Sequence, residues 1–155
     1  MENIKVRKVK REDSKRIWEI RNHPLARQNS NNQEETPFAK HNQWFENKYF
    51  RGGDNHCFVL EGEGEVVGYC RFDFDSDNYN YVVSIAVDAD YQGIGLGKAL
   101  LSEALEAFGV RGKEVVAQTL KNNILSGKFF KKNNFKIFKE DDNSYYFKYK
   151  NRLVV

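Results

Sequence analysis

Apolar positions recur along the chain in two rhythms. Over residues 4–9 apolar and basic side chains alternate, with a slip at Val9, which predicts an opening strand. Asp13 and Ser14 are good helix N-caps, and Ile17, Trp18 and Ile20 continue at helical spacing. That helix must stop before Pro24, because the residue ahead of a proline avoids the α region. Residues 28–35 are polar and Asn-rich and predict a loop. Pro37 opens a second helix, in which Phe38, His41, Trp44, Phe45 and Tyr49 recur every three or four positions; Gly52 and Gly53 close it. Strands follow at 57–60 and 66–74, joined by the Glu-Gly-Glu-Gly-Glu hairpin at 61–65, and at 81–87. Leu100, Leu101, Ala104, Leu105 and Phe108 form one stripe of a helix over 99–108, which Gly109 and Gly112 end. A strand at 115–120 precedes a helix at 124–132 with a basic last turn, where Asn133 and Asn134 suit a left-handed cap. Two strands, 135–138 and 145–149, finish the chain.

The order β-α-α-β-β-β-α-β-α-β-β predicts an α/β (α+β) domain, a mixed sheet with helices on both faces. At 155 residues, one domain spanning 1–155 is the expectation, long enough to bury a core without disulfides or metal. Two Trp, eight Tyr and twelve Phe supply large groups for that core. No stretch approaches the roughly 18–20 apolar residues that span a bilayer, and the charged start MENIKVRKVKRED lacks the apolar run of a leader. Two cysteines are no disulfide scaffold. A cytoplasmic protein with no membrane partner is expected. The net charge of +3 is too small to demand nucleic acid, but it leaves room for a small anionic ligand.

Candidate chemistry concentrates in Val83-Ser84-Ile85-Ala86-Val87-Asp88-Ala89-Asp90-Tyr91-Gln92-Gly93-Ile94-Gly95-Leu96-Gly97-Lys98. An apolar strand ends, three glycines stand at alternate positions, and an amphipathic helix begins. Glycine lets the backbone approach a ligand and adopt positive φ. The first N–H groups of the helix have no internal partners and lie at its positive end, so the junction suits a phosphate or pyrophosphate. It is not a nucleotide P-loop, because Ala99 follows Gly97-Lys98 where a hydroxyl is required. The dinucleotide spacing G-x-G-x-x-G is also absent.

Gln92-x-x-Gly95-x-Gly97 at a strand-to-helix junction resembles the acetyl-CoA pyrophosphate loop of the GNAT N-acetyltransferases, whose element order is the one read above. A second family signature resembles Asn123-Ile124-Leu125-Ser126-Gly127-Lys128-Phe129-Phe130-Lys131-Lys132-Asn133-Asn134-Phe135, with Ser126 in place of the usual alanine and Asn134 in place of a glycine. The resemblance implies a mostly antiparallel central sheet, acetyl-CoA as cosubstrate and no metal. It implies that Ile85, Ala86 and Val87 hold the pantetheine arm. Gln92, Gly93, Ile94, Gly95, Leu96, Gly97 and Lys98 would hold the pyrophosphate, and Asn123, Ser126 and Phe130 would line the cofactor further on. Phe130 stands where the family often has a tyrosine that protonates the departing thiolate, and phenylalanine cannot donate a proton.

Trp18-x-x-Arg21-Asn22-x-x-x-x-Arg27, followed by His41-x-x-Trp44-Phe45, resembles a GNAT subgroup that acetylates amino sugars on nucleotide carriers, the pseudaminic-acid pathway acetyltransferases among them. The resemblance makes Arg21, Asn22, Arg27, His41 and Trp44 acceptor-binding candidates. Arginine pairs with phosphate and aromatic rings lie on sugar faces. For Phe45 the reading is a core residue. Asp73, Ser84 and His41 are the candidates for moving the amine's proton, and Gln118 stands where ribosomal-protein N-terminal acetyltransferases usually carry a glutamate. The expectation is transfer to a small-molecule amine by a monomer or homodimer. Protein N-terminal acetylation and a non-catalytic CoA sensor are the alternatives. His23 and His56 read as exposed polar residues, and the three histidines make no metal-ligand spacing. Lys121, Lys128, Lys131, Lys132, Lys136 and Lys139 give the last third a basic face. Cys57 and Cys70 read as buried strand thiols facing each other across the hairpin.

Overall fold

The computed structural model describes residues 3–28 and 34–150. Seven strands form one sheet in the order β1-β2-β3-β4-β5-β7-β6. These are β1 (Ile4–Lys8), β2 (His56–Gly62), β3 (Glu65–Asp75), β4 (Asn80–Val87), β5 (Val115–Leu120), β6 (Phe135–Glu140) and β7 (Ser144–Tyr149). Every neighbouring pair is antiparallel except β4 and β5. The helices are α1 (Ser14–Asn22), α2 (Pro24–Gln28), α3 (Phe38–Tyr49), α4 (Leu96–Phe108) and α5 (Ile124–Lys132).

The period-two strands divide the core in two. On one face Val67, Cys70, Phe72 and Val83 pack against Leu100, Leu101, Ala104 and Phe108 of α4 and Phe130 of α5. On the other, Cys57, Val59 and Tyr69 pack against Ile17 and Ile20 of α1 and Phe45 of α3. Helices α1 and α3 on one side and α4 and α5 on the other turn their apolar residues to the sheet, which is why it is covered on both faces.

The structure refines several expectations. The loop expected at 28–35 lies, for 29–33, outside the described residues, and Gln28 closes the short helix α2. Pro24 occupies the first position of α2, and His23 before it is extended (φ −55°, ψ 134°), as a residue preceding proline must be. Helix α4 begins three residues earlier than its apolar stripe implied, because Gly95 turns the chain in the left-handed region (φ 80°) directly ahead of Leu96. Asn134 takes the left-handed cap at φ 69°. A bulge between Leu60 and Glu61 shifts the β2–β3 register by one residue. Cys57 therefore pairs with Arg71, Cys70 with Phe58, and the two buried thiols sit in different cores rather than facing each other.

Candidate active site

Strands β4 and β5 pair only at Tyr81–Val115 and Val82–Val116, then separate. Beyond Val82 the β5-facing edge of β4 is left without a strand partner, and Ser84, Ile85, Ala86 and Val87 run along it. The side chains of Ile85 and Val87 belong to the α4 face and Ala86 to the α1 face, so an extended ligand in this opening meets backbone first.

The strand leads straight into the glycine loop. Asp88 starts a single turn of 3₁₀ helix over Ala89–Tyr91, its carboxylate accepting from the Asp90 N–H at 2.9 Å. Gln92 returns its amide to the Val87 carbonyl at 3.0 Å. The three glycines have two different reasons. Gly93 and Gly95 have φ of 83° and 80°, where a side chain is strained. Gly97 lies in the first turn of α4, where a Cβ would come within 3.2 Å of Phe129 Cε1, so it permits α4 and α5 to approach. Ile94 and Lys98 are exposed, whereas Leu96 is buried in the core. Glycine turns, a helix N-terminus and an unpaired strand edge thus converge at the head of one opening. These features fit a long cofactor with a pyrophosphate in its middle.

The loop is anchored from the other side of the sheet. Arg16 of α1 donates from Nε to the Val66 carbonyl at 2.8 Å and pairs with Asp88. Burial pushes the Asp88 carboxyl up, but the Asp90 N–H and the Arg16 guanidinium together hold it below its ordinary range. The sequence reading missed Arg16. Its helical position, four residues before Ile20, was the available signal.

At the start of α5, Asn123 accepts from the Ser126 N–H at 3.2 Å and donates to Ser126 Oγ at 2.8 Å. Asn123 thus caps the helix, and Ser126 in its first turn holds the capping amide in place. Phe130 departs from its expected place. Its ring is 6% exposed and packs on Phe135 and Phe147 inside the core; the ring that reaches the glycine loop is Phe129.

The face of the sheet under α1 and α3 carries a polar cluster. Alternation along β3 sends Tyr69, Arg71 and Asp73 to this face, with Ser84 of β4 directly across from Arg71. Asp73 accepts from the Tyr49 hydroxyl at 2.8 Å through Oδ1 and pairs with Arg71 through Oδ2. Burial pushes the Tyr49 phenol up, so it stays protonated and donates. Both carboxylate oxygens of Asp73 are therefore engaged, which makes it an anchor for Arg71 rather than a free base. Trp44 carries two guanidiniums near its ring, Arg21 at 4.7 Å and Arg71 at 5.2 Å.

His41 also departs from its expected catalytic and acceptor roles. It is 1% exposed; its Nε2 donates to the Ser14 carbonyl at 3.0 Å, and its Nδ1 accepts from Arg21 Nη1 at 3.1 Å. Burial, and next the Arg21 charge, hold it down at about 4, so it is neutral with its one lone pair committed. It positions Arg21. Asn22 commits its amide to both backbone groups of Thr36, at 2.8 and 3.0 Å, and Arg27 donates to the Asn22 carbonyl at 2.9 Å. Asn22 and Arg27 are committed to these backbone bonds, leaving half-buried Arg21 and Trp44 as the acceptor candidates. Arg71 and Tyr49 were not singled out from sequence, although the odd-numbered run Tyr69, Arg71, Asp73 marks one strand face. Among the described residues, no three His, Cys, Asp or Glu side chains gather to hold a metal ion. No described helix is long and apolar enough to cross a membrane.

A family model for the acetyltransferase (GNAT) family matches residues 15–135, which takes in the glycine loop, the splayed strands and α5. The chain belongs to that family. It is a GNAT N-acetyltransferase, with acetyl-CoA as its acetyl donor. The fold recurs in an N-acetyltransferase from Staphylococcus aureus Mu50, 26% identical with a TM-score of 0.80, the match covering 97% of this chain and 99% of that one. It recurs in yncA from Salmonella typhimurium, solved with acetyl-CoA, at 23% identity and a TM-score of 0.81, covering 99% and 96%. The ribosomal-protein-alanine N-acetyltransferase of Brucella melitensis shares it at 22% identity and a TM-score of 0.77, covering 93% and 98%. No curated protein matches the chain.

Proposed function

We propose that this GNAT enzyme acetylates the primary amine of a sugar carried on a nucleotide. The observation that supports this reading most is the Arg21 guanidinium lying 4.7 Å over the Trp44 ring on the face that Ser84 and Arg71 share. An aromatic face suits a sugar or base ring, and a guanidinium fork suits phosphate.

The bound cosubstrate supplies an activated acyl group, a thioester. The chain's own part is orientation. Asn123, Ser126 and the amides of the glycine loop grip the cofactor, with Lys98 at the loop's rim, and the open β4 edge aligns its arm. Arg21, Arg71 and Trp44 bring the acceptor to the opposite side of that edge. The amine nitrogen bonds to the thioester carbonyl carbon as the C–S bond breaks. CoA departs as a thiolate, a tolerable leaving group at a thiol pKa of roughly 8.5, and takes its proton from water because Phe130 has none to give. The one lone pair of neutral His41 is committed to Arg21 and both Asp73 oxygens are engaged by Tyr49 and Arg71, so the amine's proton passes to water, with the half-buried Ser84 hydroxyl as a relay on this face. An amine of pKa roughly 8 needs little help in losing that proton, whereas a lysine near 10.4 needs far more.

A steady-state assay tests the reading by offering acetyl-CoA with a UDP- or dTDP-linked amino sugar, and separately with a peptide bearing a free N-terminal alanine. Turnover of the sugar nucleotide is expected. Turnover of the peptide alone overturns the reading in favour of protein N-terminal acetylation. Tight CoA binding without turnover of any amine would leave a CoA sensor.

A further inference from the structure

The polar cluster under α1 and α3 has an unusual charge balance. It contains two guanidiniums, Arg21 and Arg71, and one carboxylate, Asp73. That carboxylate is committed to Arg71 and to the Tyr49 hydroxyl. Among the described residues Arg21 pairs with no carboxylate; the group that holds it is His41 Nδ1. The imidazole tautomer is set from behind, since Nε2–H must donate to the Ser14 carbonyl, which leaves Nδ1 as the acceptor. The device is specific: a neutral ring fixes the direction of a guanidinium without cancelling its charge. A glutamate in the same place would have cancelled it. Arg21 is half-buried, and burial together with the Arg71 charge lowers its pKa, the signature of a cation that lacks a counter-ion. Arg71 adds a second unsatisfied group, because its Nε is buried with no hydrogen-bond partner. Both cations lean on Trp44, which separates and orients them.

A half-buried charge without a counter-ion at the edge of a cleft is only partly solvated and keeps its attraction for an anion arriving from water. We propose that Arg21 and Arg71, flanking Trp44, form an anion subsite that binds the charged group of the acceptor, a phosphate or a carboxylate, and turns cationic amines such as polyamines away. The inference rests on the reading that this face receives the acceptor. It goes further by naming the charge class the face selects and by assigning Arg71, which Asp73 and Tyr49 hold in place.

The test uses the full chain saturated with CoA, so that the cofactor's own phosphate site is blocked. Pyrophosphate and malonate are titrated separately at constant ionic strength, read by calorimetry and by tryptophan fluorescence excited at long wavelength. Trp44 and Trp18 are the two tryptophans of the chain, so a Trp44→Phe variant identifies the reporter. Saturable binding is expected, weakened at least tenfold in Arg21→Gln and in Arg71→Gln and largely retained in Arg21→Lys. CoA affinity should not change in any of them. Arg21→Gln alone decides the matter if Arg71→Gln does not fold. Absence of binding by both anions, or binding unchanged in Arg21→Gln, overturns the subsite. Preference for pyrophosphate supports a diphosphate as its occupant. Preference for malonate supports the subsite and removes the nucleotide carrier from the proposed function. Turnover of a sugar nucleotide that Arg21→Gln leaves intact does the reverse.

Discussion

At the scale of single residues, the site depends on which lone pairs are already taken. His41 illustrates this. From sequence it stands on a helix face with Phe38, Trp44 and Phe45, an arrangement equally suited to catalysis and to packing. The deciding partner, the Ser14 carbonyl, lies 27 residues away on α1, and no local pattern reports it. The same partner gives His41 a measurable consequence. Its folded pKa of about 4 lies below the ordinary value near 6.5, so the unfolded chain takes up a proton that the folded chain refuses. Its contribution is fully present above pH 6.5 and is lost as pH falls through 6.5 toward 4. At pH 5 the loss attributable to this residue is roughly 2 kcal/mol relative to pH 7.5. Urea titrations at both pH values should show that difference between wild type and His41→Gln. The variant starts less stable, by about 1–3 kcal/mol for the imperfectly replaced bonds, but with a flatter slope between pH 7.5 and 5. Equal slopes in the two proteins would show that the fold does not lower the His41 pKa.

At the scale of elements, the glycine loop was readable because its chemistry is local. Strand, three glycines and amphipathic helix follow one another in sequence, and their spacing alone separates this loop from the nucleotide-binding kinds. The proposed acceptor face was only half readable. Asp73, Trp44 and Arg21 each stand out in their own segment. Arg71 and Tyr49 matter only because β3 and α3 meet, and α3 and β3 are separated by β2. Phe129 and Phe130 show the same limit. Motif spacing selects Phe130 for the cofactor, but helix rotation turns it into the core and brings Phe129 to Gly97. Gly97 thereby acquires a role that differs from that of Gly93 and Gly95. Its backbone is helical, so a side chain is allowed conformationally but must displace the Phe129 ring. In Gly97→Val, α4 and α5 should move apart at the head of the cleft. CoA affinity by calorimetry should fall by at least tenfold while the melting temperature changes by only a few degrees. Unchanged CoA affinity would mean that the α4–α5 contact is not part of the cofactor site.

At the scale of the whole molecule, the sheet acts as a partition. One face carries α4, whose N-terminus and glycine loop stand at the head of the β4–β5 opening, and α5, which meets it through Phe129; the other carries α1 and α3 with the arginine cluster. Arg16 links the two by reaching from α1 to Asp88 at the root of the loop. The basic character read from the last third is partly cancelled, since Lys121 pairs with Glu140 at 2.7 Å and Lys148 with Glu114 at 3.2 Å. Nucleophiles are distributed just as selectively. Cys57 and Cys70 are buried in separate cores, and burial pushes both thiols up, away from the reactive thiolate. Among the described residues neither has a cationic partner bonded to it, and at 2% and 0% exposure neither sulfur is open to an acyl group. Among the described residues both thiols are buried and the Ser84 hydroxyl has no hydrogen-bonded base to activate it, so both substrates must be present together for transfer. Double-reciprocal plots at varied acceptor concentrations should therefore intersect rather than run parallel, and Cys57→Ala/Cys70→Ala should retain kcat within a few-fold. Intact-mass measurement after incubation with acetyl-CoA alone should show no added acetyl group. Parallel lines together with a stoichiometric 42 Da adduct (roughly one acetyl group, as a covalent intermediate requires) would place a nucleophile in the cleft and overturn direct transfer.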